Sequence, residues 1–230
     1  MAHQNVETSQ IEDLGTVAMT KTETFFEENG KKITIAIFAL FIVAALIFGY
    51  KSLVMDPAES NAFDAMYTAQ ARIEGATPDY QLALDGDAAT DGFLDVIENY
   101  GSTKAGNIAN HYAGICYLKL GDSNNALKYL KQYKAQDGVP AQIINAQNLA
   151  LQGDIAVDAQ DYTGAVALFE KAAAVSTNSL TTPLFLRKAG VAALAAGDTT
   201  KAKAIFEKVV IQYPTSVESD SAAKYLGSIE

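Results

Sequence analysis

The chain predicts an all-α protein in two parts: one apolar helix near the N-terminus, then a solenoid of about four helix pairs closed by a C-terminal capping helix. Three observations carry this reading. Phe93, Val96, Tyr100, Ala109, Tyr112 and Gly114 recur in register 113 residues later as Phe206, Val209, Tyr213, Ala222, Tyr225 and Gly227. Small residues mark a period near 38, because Gly114, Gly153, Gly190 and Gly227 lie 39, 37 and 37 apart while Ala89, Ala126, Ala165 and Ala202 lie 37, 39 and 37 apart. Self-similarity at that period means stacked helix pairs. Finally, the eighteen residues Ile33 to Tyr50 carry no charge. No alternation of period two is long enough for a sheet, and Gly and Pro fall mostly at turns or close-packing positions.

Taken in order, residues 1–30 are too short for a domain. Ser9 and Glu12 have capping-box spacing, Ile11, Leu14, Ala18 and Phe25 share a stripe, and Gly30 would end the helix. This predicts a solvated or interfacial juxtamembrane helix, with partner docking as the alternative. Residues 31–52 form the span. As a helix, Ile33 to Tyr50 extends about 27 Å at ~1.5 Å per residue, near the ~30 Å hydrocarbon core. The flanking Lys31, Lys32 and Lys51 can snorkel. A cleaved signal peptide fits less well, because about thirty residues with six acidic groups precede the run. Lys21, Lys31 and Lys32 before the span against Lys51 after it predict a cytoplasmic N-terminus. The rest of the chain then faces the periplasm of a bacterial inner membrane.

Residues 53–84 read as a helical linker and a degenerate first repeat: a helix from Ala58 to Glu74, broken by Gly75-Ala-Thr-Pro78. Residues 85–230 form the repeat domain. Each interior unit has a first helix carrying the Gly, a turn (Gly121-Asp122, Gln160-Asp161 or Gly197-Asp198), and a second helix. That second helix carries the Ala and, four residues on, a bulky Leu130, Phe169 or Phe206. Surplus length belongs in loops at 137–140 and 176–182. In the first unit the same register makes Ala89 the packing alanine and Phe93 the packing aromatic.

These positions resemble the tetratricopeptide repeat (TPR) family, best in GVAALAAGDTTKAKAIFEKVVIQYP, with Gly190, Gly197-Asp198, Ala202, Phe206 and Pro214, and nearly as well in HYAGICYLKLGDSNNALKYLKQY. The period exceeds the family's usual 34. The resemblance implies a concave surface on the first helices that binds peptide. By the family's pattern it would use Ile108, His111, Ile115 and Leu118, then Gln147, Ala150 and Asp154, then Leu184, Arg187 and Val191. That surface is mixed and mostly apolar, and His111 and Ile115 stand at two positions of the clamp by which some TPR proteins hold an acidic C-terminus. Apolar contact is therefore expected over capture of acidic tails.

Chemistry is sparse. His3 and His111 fall on opposite sides of the predicted membrane, and the lone Cys116, on the face of Ala113 and Leu120, reads as a core thiol. No nucleotide loop, nucleophile elbow or zinc-helix motif occurs. Asp87, Asp91, Gly92 and Glu98 mimic a calcium loop but put Ala89 where an oxygen ligand is needed. No enzyme activity, cofactor or metal is expected. From residue 52 onward 21 acidic and 13 basic groups give a charge of −8, which argues against nucleic acid.

The order of elements, with FFEENGKK (Phe25 to Lys32) ahead of the span, and the tract from Gly92 to Asp122 are similar to the YfgM-like ancillary subunits of the Sec translocon in Bacteroidota. That resemblance implies partnership with SecYEG and a PpiD-like chaperone, assistance to unfolded, newly translocated polypeptides, and a lipid bilayer around Ile33–Tyr50. The alternative is a TPR scaffold for another cell-envelope assembly machine.

Overall fold

The computed structural model describes residue 25 and residues 29–229. The capping box at Ser9 and Glu12 lies outside them. The chain divides into two compact units at Pro57–Ala58.

In the first unit, α1 (residues 29–50) carries the apolar run. It belongs to a helix, Asn29–Glu74, that is long and apolar enough to cross a membrane, and none of its most apolar window is buried. Gly30 does not end a helix as expected but lies inside α1, where its carbonyl accepts from Thr34 Oγ1 at 2.8 Å. One glycine costs about 1 kcal/mol in a helix interior, too little to stop so long an apolar run. Lys51–Met55 widens to a π-helix, closed by Asp56 N–H donating to Lys51 C=O. Pro57 accounts for this: it has no N–H, its ring crowds the carbonyl four residues back, and the wider turn relieves that crowding.

The second unit is all helix and loop among its described residues. Its elements are α2 (Asp56–Glu74), α3 (Tyr80–Asp85), α4 (Phe93–Tyr100), α5 (Lys104–Lys119), α6 (Ser123–Gln132), α7 (Val139–Asp158), α8 (Tyr162–Val175), α9 (Thr181–Ala195), α10 (Thr199–Gln212) and α11 (Val217–Ile229). α2 shares a core cluster with α3, α4 and α5; the later helices pair as α5/α6, α7/α8 and α9/α10, with α11 as the cap.

The turn inside each interior pair takes three residues, of which the last two act as a dipeptide. The first residue of the dipeptide turns left-handed: Gly121 at φ 82°, Gln160 at 61°, Gly197 at 79°. The following Asp donates its N–H back to the helix just ended, Asp122 to Tyr117, Asp161 to Ala156 and Asp198 to Ala193, at 2.8–2.9 Å. The same Asp caps the next helix, its carboxylate accepting from Asn125, Gly164 or Lys201 N–H. C-terminal Schellman closure and N-cap are thus one dipeptide.

Close approach within a pair comes from the glycines. A Cβ on Gly114 would stand 2.6 Å from Leu130, on Gly153 2.7 Å from Phe169, and on Gly190 2.5 Å from Phe206. Gly227 continues the spacing, but a Cβ there meets nothing within 4 Å. The 113-residue echo has a packing cause as well: Phe93 stacks on Tyr112 at 5.4 Å, and Phe206 stacks on Tyr225 at 5.0 Å.

The first pair departs from the register. Ala89 is no packing alanine; it is exposed in a loop over 86–92 that splits the second helix into α3 and α4, and the buried Ala83 and Leu84 pack instead. Arg72 of α2 holds this loop by donating to Leu82 C=O at 2.8 Å and to Asp87 at 3.1 Å, and it also bonds the Thr90 hydroxyl. Asp87 accepts from Ala89 and Thr90, which keeps its carboxyl below the usual range. Its oxygens are spent on the loop itself, so the likeness to a calcium loop is a by-product of turn chemistry. Glu59 of α2 accepts from Lys104 and Ala105 N–H and so ties α2 to the start of α5.

Candidate functional site: the inner groove

The first helices α5, α7 and α9 bring most of the expected groove residues to a row of cavities. Ile108 lines one of about 370 Å³ together with Phe63, Tyr133, Pro140 and Ile144. Gln147, Ala150, Asp154 and Leu184 line a second, also about 370 Å³, with Ile143 and Lys188. Asp154, Arg187 and Val191 line a third of about 220 Å³, where Lys188 and Phe169 join them. Ile115 is half-buried on α5.

Two expected residues are elsewhere. His111 is a core residue, 1% exposed, with Tyr112 and Tyr133 around its ring and Asn148 Nδ2 donating to its Nδ1 at 3.3 Å. Burial lowers its pKa to about 4, while a side-chain hydrogen bond to Gln147 works the other way. It is neutral near pH 7 and cannot reach a ligand. Tyr133, from the connection after α6, is the residue that helps to cover it. Leu118 is half-buried against the small cluster of Ala126, Leu130 and Ile155, so it joins pairs together instead of facing the groove.

The two cations that α9 brings to the groove are paired within the protein. Lys188 bonds both carboxylate oxygens of Asp154 at 2.8 and 2.9 Å and lies 5.5 Å over the Phe169 ring. Arg187 pairs with Glu218 of α11. Neither cation is therefore an open anchor for a peptide carboxylate. Sequence reading missed Lys188 and Glu218 because each pair bridges helices more than thirty residues apart. Exposed apolar surface remains, with Ile143 at 66% and Phe63 at 43%.

Cys116 is fully buried, and burial pushes its thiol up to about 12, which leaves it protonated and unreactive. No cluster of metal-ligating side chains occurs among the described residues.

Against known proteins, two family models described as tetratricopeptide repeat match, one over residues 109–137 and one over 151–217. A search of curated proteins finds no match. The first span covers most of α5 and all of α6, and the second runs from within α7 to the start of α11. The described structure is helix and loop over both spans, which is the helix-pair architecture of the tetratricopeptide repeats that they match.

Proposed function

We propose that this protein is a non-enzymatic, membrane-anchored adaptor whose groove holds apolar segments of partner chains. It would work on the periplasmic side of a bacterial inner membrane, as an ancillary Sec translocon subunit beside a PpiD-like chaperone. One observation supports this reading best: the cavities are lined mainly by apolar side chains, and the α9 cations beside them, Lys188 and Arg187, are already paired. Such a surface favours uncharged, unfolded segments over acidic tails, since an exposed ion pair adds only about 0–1 kcal/mol. The apolar α1 supplies an anchor, and the resemblance of the order of elements supplies the machine. Photo-crosslinkers at Ile143 in the groove and at Phe41 in α1 test it in cells. The first is expected to trap emerging chains or a PpiD-like partner and the second to trap channel subunits. Crosslinks confined to a different envelope complex would reject the Sec assignment and leave a scaffold for that machine.

A further inference from the structure

The connection from α6 to α7, residues 133–138, is held as a bound peptide would be. Lys134 N–H donates to Asn107 Oδ1 at 2.8 Å, and Asn107 Nδ2 donates to Lys134 C=O at 2.7 Å. Two residues on, Gln136 N–H donates to Asn145 Oδ1 at 3.1 Å, and Asn145 Nδ2 donates to Gln136 C=O at 2.8 Å. Two carboxamides, one on α5 and one on α7, thus grip alternate residues of the main chain. That is the two-residue period at which an extended chain repeats its N–H and C=O directions. Asn107 reads backbone only, since the Lys134 side chain is exposed, while Asn145 Oδ1 also accepts from the Tyr133 hydroxyl at 2.6 Å.

This connection also divides two cavities. Ile108, Tyr133, Gln136 and Ile144 line one; Asn107, Asn110, Lys134 and Gln136 line the other, of about 350 Å³. Asn110 sits one turn after Asn107 and is 7% exposed. Its Nδ2 is spent on Gly106 C=O at 3.1 Å, which fixes the amide's orientation, and its Oδ1 has no donor. A buried acceptor left open beside two occupied carboxamides points to a third main-chain N–H. The ends of the connection suit movement: Tyr133 is buried and anchored, while Gly138 turns at φ 99° with nothing within 4 Å of a Cβ.

We propose that residues 133–138 are an intramolecular strap occupying a main-chain-binding ladder of Asn107, Asn110 and Asn145, and that an extended partner chain enters the groove by displacing it. The proposal rests on the groove reading above and adds a self-ligand that lowers resting affinity. The competing chain would use the three carboxamides for its backbone and the Ile108 and Ile144 cavity for an apolar side chain.

The test uses the full chain in lipid nanodiscs and reduced, carboxymethylated α-lactalbumin as an unfolded probe. Lys134→Pro removes the N–H that Asn107 holds but leaves Asn107 in place. Tyr133, at φ −61° and ψ 128°, already has the conformation preferred before proline. With the strap loosened, probe affinity is expected to rise about 5- to 20-fold. Asn107→Ala takes the ladder from strap and probe alike and is expected to give no such gain. In the unaltered protein, hydrogen exchange at the Lys134 and Gln136 amides is expected to speed up when the probe binds, while the α7 amides stay protected. Equal affinities for unaltered and Lys134→Pro protein, or strap amides that stay protected with probe bound, would overturn the strap and leave the groove reading standing. Failure of both proteins to bind the probe would reject the groove reading, and the strap with it.

Discussion

His111 shows how a single side chain converts burial into a pH response. Its pKa is 6.5 as a free group and about 4 in the fold, where burial disfavours the imidazolium. Between those values the unfolded chain binds more protons than the folded one, so stability falls as pH falls. The contribution is complete above pH 6.5 and is lost on approach to pH 4, a loss of about 2–3 kcal/mol. Urea unfolding at pH 7 and pH 4 should therefore show a smaller acid loss for His111→Gln than for the unaltered protein. Identical losses would place the proton elsewhere. Glycine positions give a second contrast. Gly190→Ala drives a Cβ to 2.5 Å from Phe206 and is expected to cost about 1–3 kcal/mol. Gly227→Ala meets open space and is expected to gain up to about 1 kcal/mol from helix propensity. Thermal melts of the two variants shifting in the same direction would contradict the packing described here.

At the scale of elements, what was legible in the sequence was what is local. The pairs α5/α6, α7/α8 and α9/α10 could be read because a left-handed residue, a capping Asp, a small residue and a bulky one all fall within one period. The split of α3 from α4 could not, since Arg72 and Asp87 hold that loop across fifteen residues of chain. For the candidate groove, repeat register was enough to put Ile108, Gln147, Asp154 and Leu184 on the faces that line cavities. His111 was not legible, because periodicity gives a residue's face on its helix but not the Tyr133 that arrives from a connection to cover it. The tight register of the pairs is testable at α10. Ala202 is fully buried and Ala204 is exposed. Ala202→Leu is expected to cost about 1–3 kcal/mol by overpacking, and Ala204→Leu to stay within about 0.5 kcal/mol. Coincident urea melts for the two would show that α10 packs by another face.

For the molecule as a whole, the apolar face of α1 is the largest unmet demand. Phe41 and Phe48 are 67% and 73% exposed, with no polar face among their neighbours on the helix. Burying such side chains is worth about 1.5–3 kcal/mol each, so the helix partitions into lipid unless something else covers it. The direction of insertion depends on the lysines. Three precede the span and one follows it, and positive charge is retained on the cytoplasmic side. By that rule the repeats are expected to lie outside the cytoplasm. Protease added to spheroplasts is expected to digest the repeats while an epitope at the N-terminus stays protected. Moving the asymmetry, with Lys31 and Lys32 changed to Gln and two lysines added after Lys51, is expected to protect the repeats in a measurable fraction of molecules. Repeats protected in the unaltered protein would reverse the orientation, and repeats released from the membrane with residues 1–50 missing would make the apolar run a cleaved leader.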